Sequence, residues 1–518
     1  MNGGNAESHY ELAPPPADTM IEALRGVGYS LATAIADIID NSISADATNV
    51  WLTFWWEGKK SFISILDDGH GMQEPELSNA MRPGSNNPLH ERTRKDLGRF
   101  GLGLKTASFS QCRRLTVASR TVDSDITTRR WDLDHVATTR EWQLLKQEAP
   151  SSTIRLQPLN EQRQGSLVLW EALDRVVGND AWPEDSRAQD AFLALVEHTV
   201  RHLEMVFHRF LEGSASSLKI FVNGREDRHR ITAWDPFLSN HPATERTPEE
   251  LLGGRATEVA VQGFILPHKD RLSPEELARG AGPDGWGAQQ GFYVYRSRRL
   301  LVAGDWLGLG RGRSWTKEEP FRLARLRLDI PNSADEAWQI DIKKSRAKPP
   351  SIFKARLTDL ADQVRQKARR VYAHRGDYGS RPATPNLARA WLAVDRKASV
   401  AYRIDRSHPI VRKVLDIAGC GEDGVEAMLR VIEETVPIQR IWLETVEKGG
   451  IEEGGFSGTQ PEEIAAIAQG LFGHMVDHIG MSPGAAREQL LRTEPFQNYP
   501  DIIVALESAT RRHGDHHE

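Results

Sequence analysis

Two residues one helical turn apart, Asp37 and Asn41, open the chemistry of this sequence. Leu31, Ala34, Ile35, Ile38 and Ile39 around them stand at helical spacing. That apolar stripe predicts a helix whose Asp37 and Asn41 edge can face a cavity instead of the core. A carboxylate there can orient a water and accept its proton. An amide oxygen one turn on is a hard ligand suited to magnesium, which otherwise keeps waters and phosphate oxygens. Taken alone, the pair reads more simply as a solvated helix edge.

Two later stretches would have to be brought to that edge. A strand at 62–66 ends in Asp67-Asp68-Gly69-His70-Gly71-Met72. Glycines at alternate positions let the backbone turn sharply beside a planar ligand. Asp67 can accept a hydrogen bond from an exocyclic amine such as that of adenine, and Met72 can line the base. By itself, Asp-Asp-Gly is also an ordinary turn after a strand. The third stretch is Gly98-Arg99-Phe100-Gly101-Leu102-Gly103-Leu104-Lys105, ahead of a helix through Phe109. Glycines beside a helix start leave backbone N–H groups and the positive dipole end pointing outward, a seat for phosphate to which Lys105 adds charge. The stretch lacks the Lys-Ser/Thr pair and the glycine spacing of a P-loop.

Together, in this order and spacing, the three stretches describe a pocket for ATP and one magnesium ion. They resemble the GHKL ATPases, the group of DNA gyrase B, MutL, the Hsp90 chaperones, sensor histidine kinases and the MORC proteins. The resemblance implies a Bergerat-type ATP-binding α/β sandwich in which Asp37 stands where the family has its general base, usually Glu. It puts Asn41 on the magnesium ligand and Asp67 on the adenine-reading carboxylate, with Gly69, Gly71 and Met72 beside it. Gly98, Gly101, Gly103 and Lys105 fall on the phosphate-covering segment, and Ser166, in Gly165-Ser166-Leu167, replaces the threonine of a closing strand. Asp37 is one methylene shorter than the family's glutamate, which implies slower turnover or a differently placed water. Residues 81–97, polar and rich in Gly, Pro and Asn, correspond to the family's lid.

Composition sets the outer limits. The 518 residues, 39% of them hydrophobic, suffice for two to four domains with real cores. A net charge of −6 drives no global binding to nucleic acid, so any such contact needs a local patch. Two cysteines, Cys112 and Cys420, form no disulfide framework and no metal spacing, which suits a reducing compartment. The first twenty residues lack the pattern of a signal peptide, and no span approaches the ~20 apolar residues that cross a bilayer. These features predict a cytoplasmic protein.

The expected fold class is α+β. Residues 1–20 read as a flexible arm, in such dimers an element that crosses to the partner subunit. Residues 21–215 form the ATP-binding domain, with strands at 50–56, 61–66, 115–120, 129–133, 152–156 and 166–170 and a helix at 188–211. His198 and His202, four apart on that helix, read as an ordinary helix surface. A second domain, 216–375, has strands at 218–222, 259–266, 291–295, 299–303 and 324–330. Alternation continues through 338–345, and a helix at 352–372 closes the domain. The resemblance makes this a transducer of the ribosomal S5 fold and gives it a lysine that reaches the γ-phosphate, Lys344, with Lys343 second. Its wording looks closest to bacterial MORC-like proteins. A linker at 376–385 leads to a helical region, 386–518, with helices at 386–392, 409–418, 424–435, 438–447, 461–479, 483–494 and 500–512.

The function implied is that of a dimeric clamp closed by ATP and magnesium. It would act on DNA or a DNA-processing partner, in bacterial defence, including against phage, or in repair. Arg296, Arg298, Arg299, Arg311, Arg313, Arg346, Lys348 and the basic helix 354–375 would supply the DNA contact. The competing classes are a chaperone-like or signalling ATPase with a protein client, and a nucleotide-binding scaffold with negligible turnover.

Overall fold

A computed structural model describes residues 15–26, 28–84, 103–213, 217–254, 258–334, 337–341, 346–373, 390–396, 399–418, 422–436, 456, 459–477, 479–493 and 495–506. The chain divides into two units, Met1–His374 and Arg375–Glu518.

The first unit begins with helices α1 (Ala17–Arg25) and α2 (Leu31–Ser44). A six-stranded sheet follows: β1 (Asn49–Trp55), β2 (Phe62–Asp67), β3 (Arg114–Arg120), β4 (Thr127–Asp132), β5 (Gly165–Glu171) and β6 (Lys219–Val222), in spatial order β4-β3-β5-β2-β1-β6. All neighbours are antiparallel except β1 and β6. Inserted helices are α3 (Glu74–Met81), α4 (Gly103–Phe109), α5 (Leu133–Thr139), α6 (Thr153–Leu156), α7 (Ser186–Val206) and α8 (His208–Leu211). Strand alternation sends Val50, Leu52 and Phe54 of β1 into the core, where they meet Ile35, Ile38 and Ile39 of α2 and Leu203 of α7. The expected strand at 152–156 is instead α6 and a 3₁₀ turn, Gln157–Glu161. Leu156 and Leu159 are buried at a spacing of three while Ile154 is exposed, a helical and not an alternating period. That turn covers the other face of the sheet at Leu66, Ala118, Leu167 and Leu169.

A second sheet in the same unit comprises β7 (Glu245–Arg246), β8 (Glu250–Leu252), β9 (Val259–Ile265), β10 (Gly291–Arg296), β11 (Arg299–Asp305) and β12 (Ala324–Ile330). Its order is β11-β10-β12-β9-β7, with β8 also on β9 and β10 parallel to β12. Short helices α9 (Pro274–Ala281) and α10 (Gly285–Ala288) precede β10, and the long α11 (Ser351–Ala373) lays Leu357, Ala361 and Val364 against the sheet. The extended run expected at 338–345 ends early. Trp338 and Ile340 are both buried, which accounts for the alternation, but Gln339 between them has φ +48 and turns the chain. Residues 342–345 lie outside the described residues.

The second unit is not purely helical. Of the helix expected at 386–392, residues 386–389 lie outside the described residues and 391–392 open β13 (Trp391–Arg396), which pairs with β14 (Ser399–Ile404) as an antiparallel hairpin. Val400, Tyr402 and Ile404 alternate in the sequence, a strand period that the preceding Leu-Ala-Arg-Ala stretch obscures. Helices α12 (Pro409–Ala418), α13 (Glu422–Thr435), α14 (Pro461–Asp477), α15 (Pro483–Leu491) and α16 (Pro500–Val504) follow. Phe472, Leu490, Phe496 and Ile503 form the core of the last three. The expected linker at 376–385 and helix at 438–447 lie outside the described residues. Among the described residues no helix is long and apolar enough to cross a membrane.

Candidate nucleotide site

Helix α2 is the spine of the site. Ser30 caps it, its hydroxyl accepting from the Thr33 amide at 3.2 Å, and the isoleucine stripe is fully buried. Asp37 is buried at 5% exposure, whereas Asn41, one turn later, is exposed and its side-chain amide makes no hydrogen bond among the described residues. The Tyr29 hydroxyl donates to Asp37 Oδ2 at 2.9 Å. A side chain built on Gly103, the first residue of α4, would place its Cβ 3.6 Å from the same oxygen. The third stretch therefore does come to the first.

Asp67, at the end of β2, also comes to α2. Its Oδ2 accepts from Ser42 of α2 at 2.8 Å, and its Oδ1 accepts from the Gly69 amide at 3.0 Å and the Ser166 amide at 3.2 Å. Three donors on a carboxylate with about four acceptor positions leave one open for a ligand amine. Burial pushes the Asp67 carboxyl up against the pull of these hydrogen bonds. The strand ends here are held together by glycine. Gly71 has φ +69, and a Cβ on it would lie 1.9 Å from the Arg120 carbonyl oxygen; Gly165 has φ +142, and its Cβ would lie 2.0 Å from that of Asp67. Ser119 links them, donating to the Gly165 carbonyl at 3.1 Å and lying 2.8 Å from Ser166 Oγ. The Met72 amide donates to Ser119 at 2.9 Å, leaving its side chain half-buried against the core. Although burial opposes it, hydrogen bonds from Asn49 and Thr48 hold the neighbouring Asp68 carboxyl below its usual range. Asp68 thus fastens the turn to β1.

Of the charged groups expected at the phosphates, Lys105 lies among the described residues. Lys105 is 2% exposed and donates to the Ala80 carbonyl at 2.8 Å, in the last turn of α3 where carbonyls attract a cation. Burial pulls its ammonium down to about 8. Gly98 and Gly101 lie outside the described residues, as do Lys343 and Lys344. On either side of the lysines, the Arg346 amide donates to Asp341 Oδ1 at 2.9 Å, and the charge of Asp341 acts on the Tyr29 hydroxyl.

Spacing gave no hint of several groups around the site. Tyr29 stands eight residues before Asp37, ahead of the helix cap, and Ser42 directly follows Asn41; both signals are local but belong to no pattern. Asp40 is 1% exposed and accepts from Arg299 Nε of β11 at 2.8 Å, a partner 259 residues away. The same contact region carries His208 against the Tyr295 hydroxyl at 2.9 Å and Arg209 forked onto Asp329. The second sheet is therefore bound to α2 through buried charges. His202 is half-buried on its helix: burial, then the charges of Arg299 and His198, pull its imidazole down to about 3.

Of the arginines expected to contact DNA, several are used internally. Arg296 and Arg299 are buried, Arg298 donates to Ser217 and to the Arg209 carbonyl, and Arg311 pairs with Asp359 and Asp362. In the basic helix, Arg365 lies under Trp306, Trp315 and Phe321, 3.7 Å from the last ring. Arg313, Arg346, Lys348, Lys354, Lys367, Arg369 and Arg370 are exposed.

Comparison with known proteins agrees with this geometry. Residues 29–166, which span α2 through Ser166, match the family model described as histidine kinase-, DNA gyrase B- and HSP90-like ATPase. Over 88 residues the chain is 31% identical to the ATPase morc-1 of Caenorhabditis elegans, a match covering 17% of this chain and 10% of that protein. Residues 29–166 are thus similar to the ATPase domain of the GHKL family, and part of the chain is similar to a MORC ATPase, of whose length the match spans about a tenth.

Proposed function

We propose that this protein is an ATP-dependent dimeric clamp that binds and hydrolyses ATP with magnesium and closes on DNA or on a DNA-processing partner. One observation carries the reading: Asp67 and Gly103, from two later stretches, both come to helix α2, which carries Asp37; Ser42 of that helix donates to Asp67, and a Cβ on Gly103 would lie 3.6 Å from Asp37 Oδ2. In this reading the open acceptor position of Asp67 takes the adenine amine, and Gly69 and Gly71 let the backbone approach the base, which Met72 lines. Ser166 closes the far side. Asn41, exposed and uncommitted, would hold magnesium, which supplies charge neutralisation at the phosphates. Gly98, Gly101, Gly103 and Lys105 belong to the segment over the phosphates. Asp37 takes the proton of the attacking water as its oxygen bonds to the γ-phosphorus and the bridging bond breaks, releasing ADP and phosphate. Lys344 is the candidate for the γ-phosphate contact that docks an S5-like transducer. The buried pair of Asp40 and Arg299 supports such docking, because it ties the second sheet to the helix that holds the base.

The exposed basic residues around α11 and the Arg313 loop are the proposed contact with DNA, and bacterial defence or repair is the proposed setting; the similarity to the ATPase morc-1 supports the ATPase part of this reading. The test is turnover. Asp37→Ala and Asn41→Ala should each lower ATPase activity by ~10²–10⁴-fold, and unchanged turnover in a clean preparation refutes the assignment. Salt-resistant retention of circular but not linear DNA, dependent on a non-hydrolysable ATP analogue, tests the clamp. Nucleotide-dependent retention of an unfolded protein instead, with no DNA held, would establish a protein client.

A further inference from the structure

We propose that Tyr29 is the positioning residue of the hydrolytic centre, its hydroxyl fixing the Asp37 carboxylate in the orientation that a longer glutamate would reach by itself. The inference rests on the ATPase reading of the site. Tyr29 is 7% exposed and its hydroxyl lies 2.9 Å from Asp37 Oδ2. The residue is held from both ends. Its carbonyl accepts from Gln111 Nε2 at 3.0 Å, and Gly28 before it, at φ +76, delivers the chain to the helix cap. The hydroxyl also bonds to the Thr106 side chain on α4, whose first residue, Gly103, faces the same Asp37 oxygen. One phenol therefore ties the proposed base on α2 to the helix that follows the phosphate-covering segment, and it feels the charge of Asp341 beside the lysine pair.

The chemistry favours positioning over mere satisfaction of a buried phenol. Burial, then the Asp37 charge and hydrogen bond, push the Tyr29 hydroxyl far above its ordinary range. It therefore stays protonated at any working pH and can only donate to the carboxylate. A carboxylate with one oxygen pinned by a rigid donor has its plane set. An aspartate, one methylene short of the family's usual glutamate, has more need of that restraint if its lone pair is to meet a water in line with the γ-phosphate.

The experiment measures steady-state ATPase and binding of a fluorescent ATP analogue for wild type, Tyr29→Phe, Asp37→Glu and the Asp37→Glu/Tyr29→Phe double variant. Phenylalanine keeps the ring and the packing, so the fold is retained and the melting temperature reports it. Removing a hydrogen bond to a charged group should lower kcat by ~10–100-fold, with KM and analogue affinity within about twofold. Asp37→Glu alone should also lose activity, because the added methylene runs into the hydroxyl. The double variant should recover at least about fivefold over Tyr29→Phe, as the longer carboxylate enters the vacated space. Tyr29→Phe turning over within twofold of wild type overturns the proposal, and so does a double variant no faster than Tyr29→Phe. Failure of the underlying reading looks different: wild type and Asp37→Ala would then hydrolyse ATP equally, whatever stands at position 29.

Discussion

Replacing Arg299 by methionine should destabilise the first unit more than any exposed arginine could. The guanidinium lies 2.8 Å from Asp40 Oδ1, the two side chains are 5% and 1% exposed, and the ring of Phe207 lies 4.9 Å below. Arg299→Met strips a buried carboxylate of its cation while the cost of burying that carboxylate remains. Breaking one side of such a pair typically costs about 3–5 kcal/mol. The unit runs from Met1 to His374, and unfolding entropy scales at roughly 2.1 cal/mol/K per residue, so the melting temperature should fall by about 4–6 °C. Asp40→Asn/Arg299→Met removes both charges and should recover more than half of that loss, since replacing a buried pair with neutral groups is often close to neutral. Differential scanning fluorimetry on the four proteins of the cycle reads the coupling directly. Melting of Arg299→Met within 1 °C of wild type, or a double variant no better than the worse single, would refute the idea that this pair clasps α2 to the second sheet. Turnover should fall along with stability in Arg299→Met, because α2 carries both Asp37 and Asn41.

Asp67→Asn should weaken binding of a fluorescent ATP analogue by ~10–100-fold while the protein remains folded, because the amide no longer offers the charged acceptor. Gly71→Ala should cost at least ~2 kcal/mol, since a Cβ at φ +69 would lie 1.9 Å from the Arg120 carbonyl oxygen; at Gly84, also left-handed at φ +71 but with nothing within 4 Å, the cost should stay near ~1 kcal/mol. Thermal melts of the two variants side by side separate strain from collision. His202 gives a pH signature. Its folded-state value of about 3 lies below the ordinary 6.5, so between those limits the unfolded chain binds a proton that the folded chain refuses, and stability is lost as pH falls. His202→Gln removes this contribution, and its melting temperature should fall by about 3 °C less than wild type between pH 7 and pH 4.5. Parallel pH profiles of the two proteins would show that folding does not hold His202 neutral over this range.

Local patterns determined what could be read in advance. The stripe of Leu31, Ala34, Ile35, Ile38 and Ile39 named helix α2, and alternation named β1, β2 and most later strands, because both periods are properties of a short stretch of chain. The same locality carried the nucleotide reading, since Asp37 and Asn41 are one turn apart and Asp67, Gly69 and Gly71 share one turn. Local signals also misled: the stretch 152–156 looked like a strand until the burial of Leu156 and Leu159 showed a spacing of three, and a left-handed Gln339 ended an apparent strand at 338–345. Contacts across long separations were decided only by the tertiary structure. Ser42 reaches Asp67, Gly103 comes to Asp37, and Asp40 finds Arg299 259 residues later because folding a twisted sheet over α2 brings them there. No period or motif encodes such meetings. The tertiary structure likewise distinguished arginines spent on internal carboxylates and aromatic rings from those left exposed, because charge is visible in a sequence but solvent access is not.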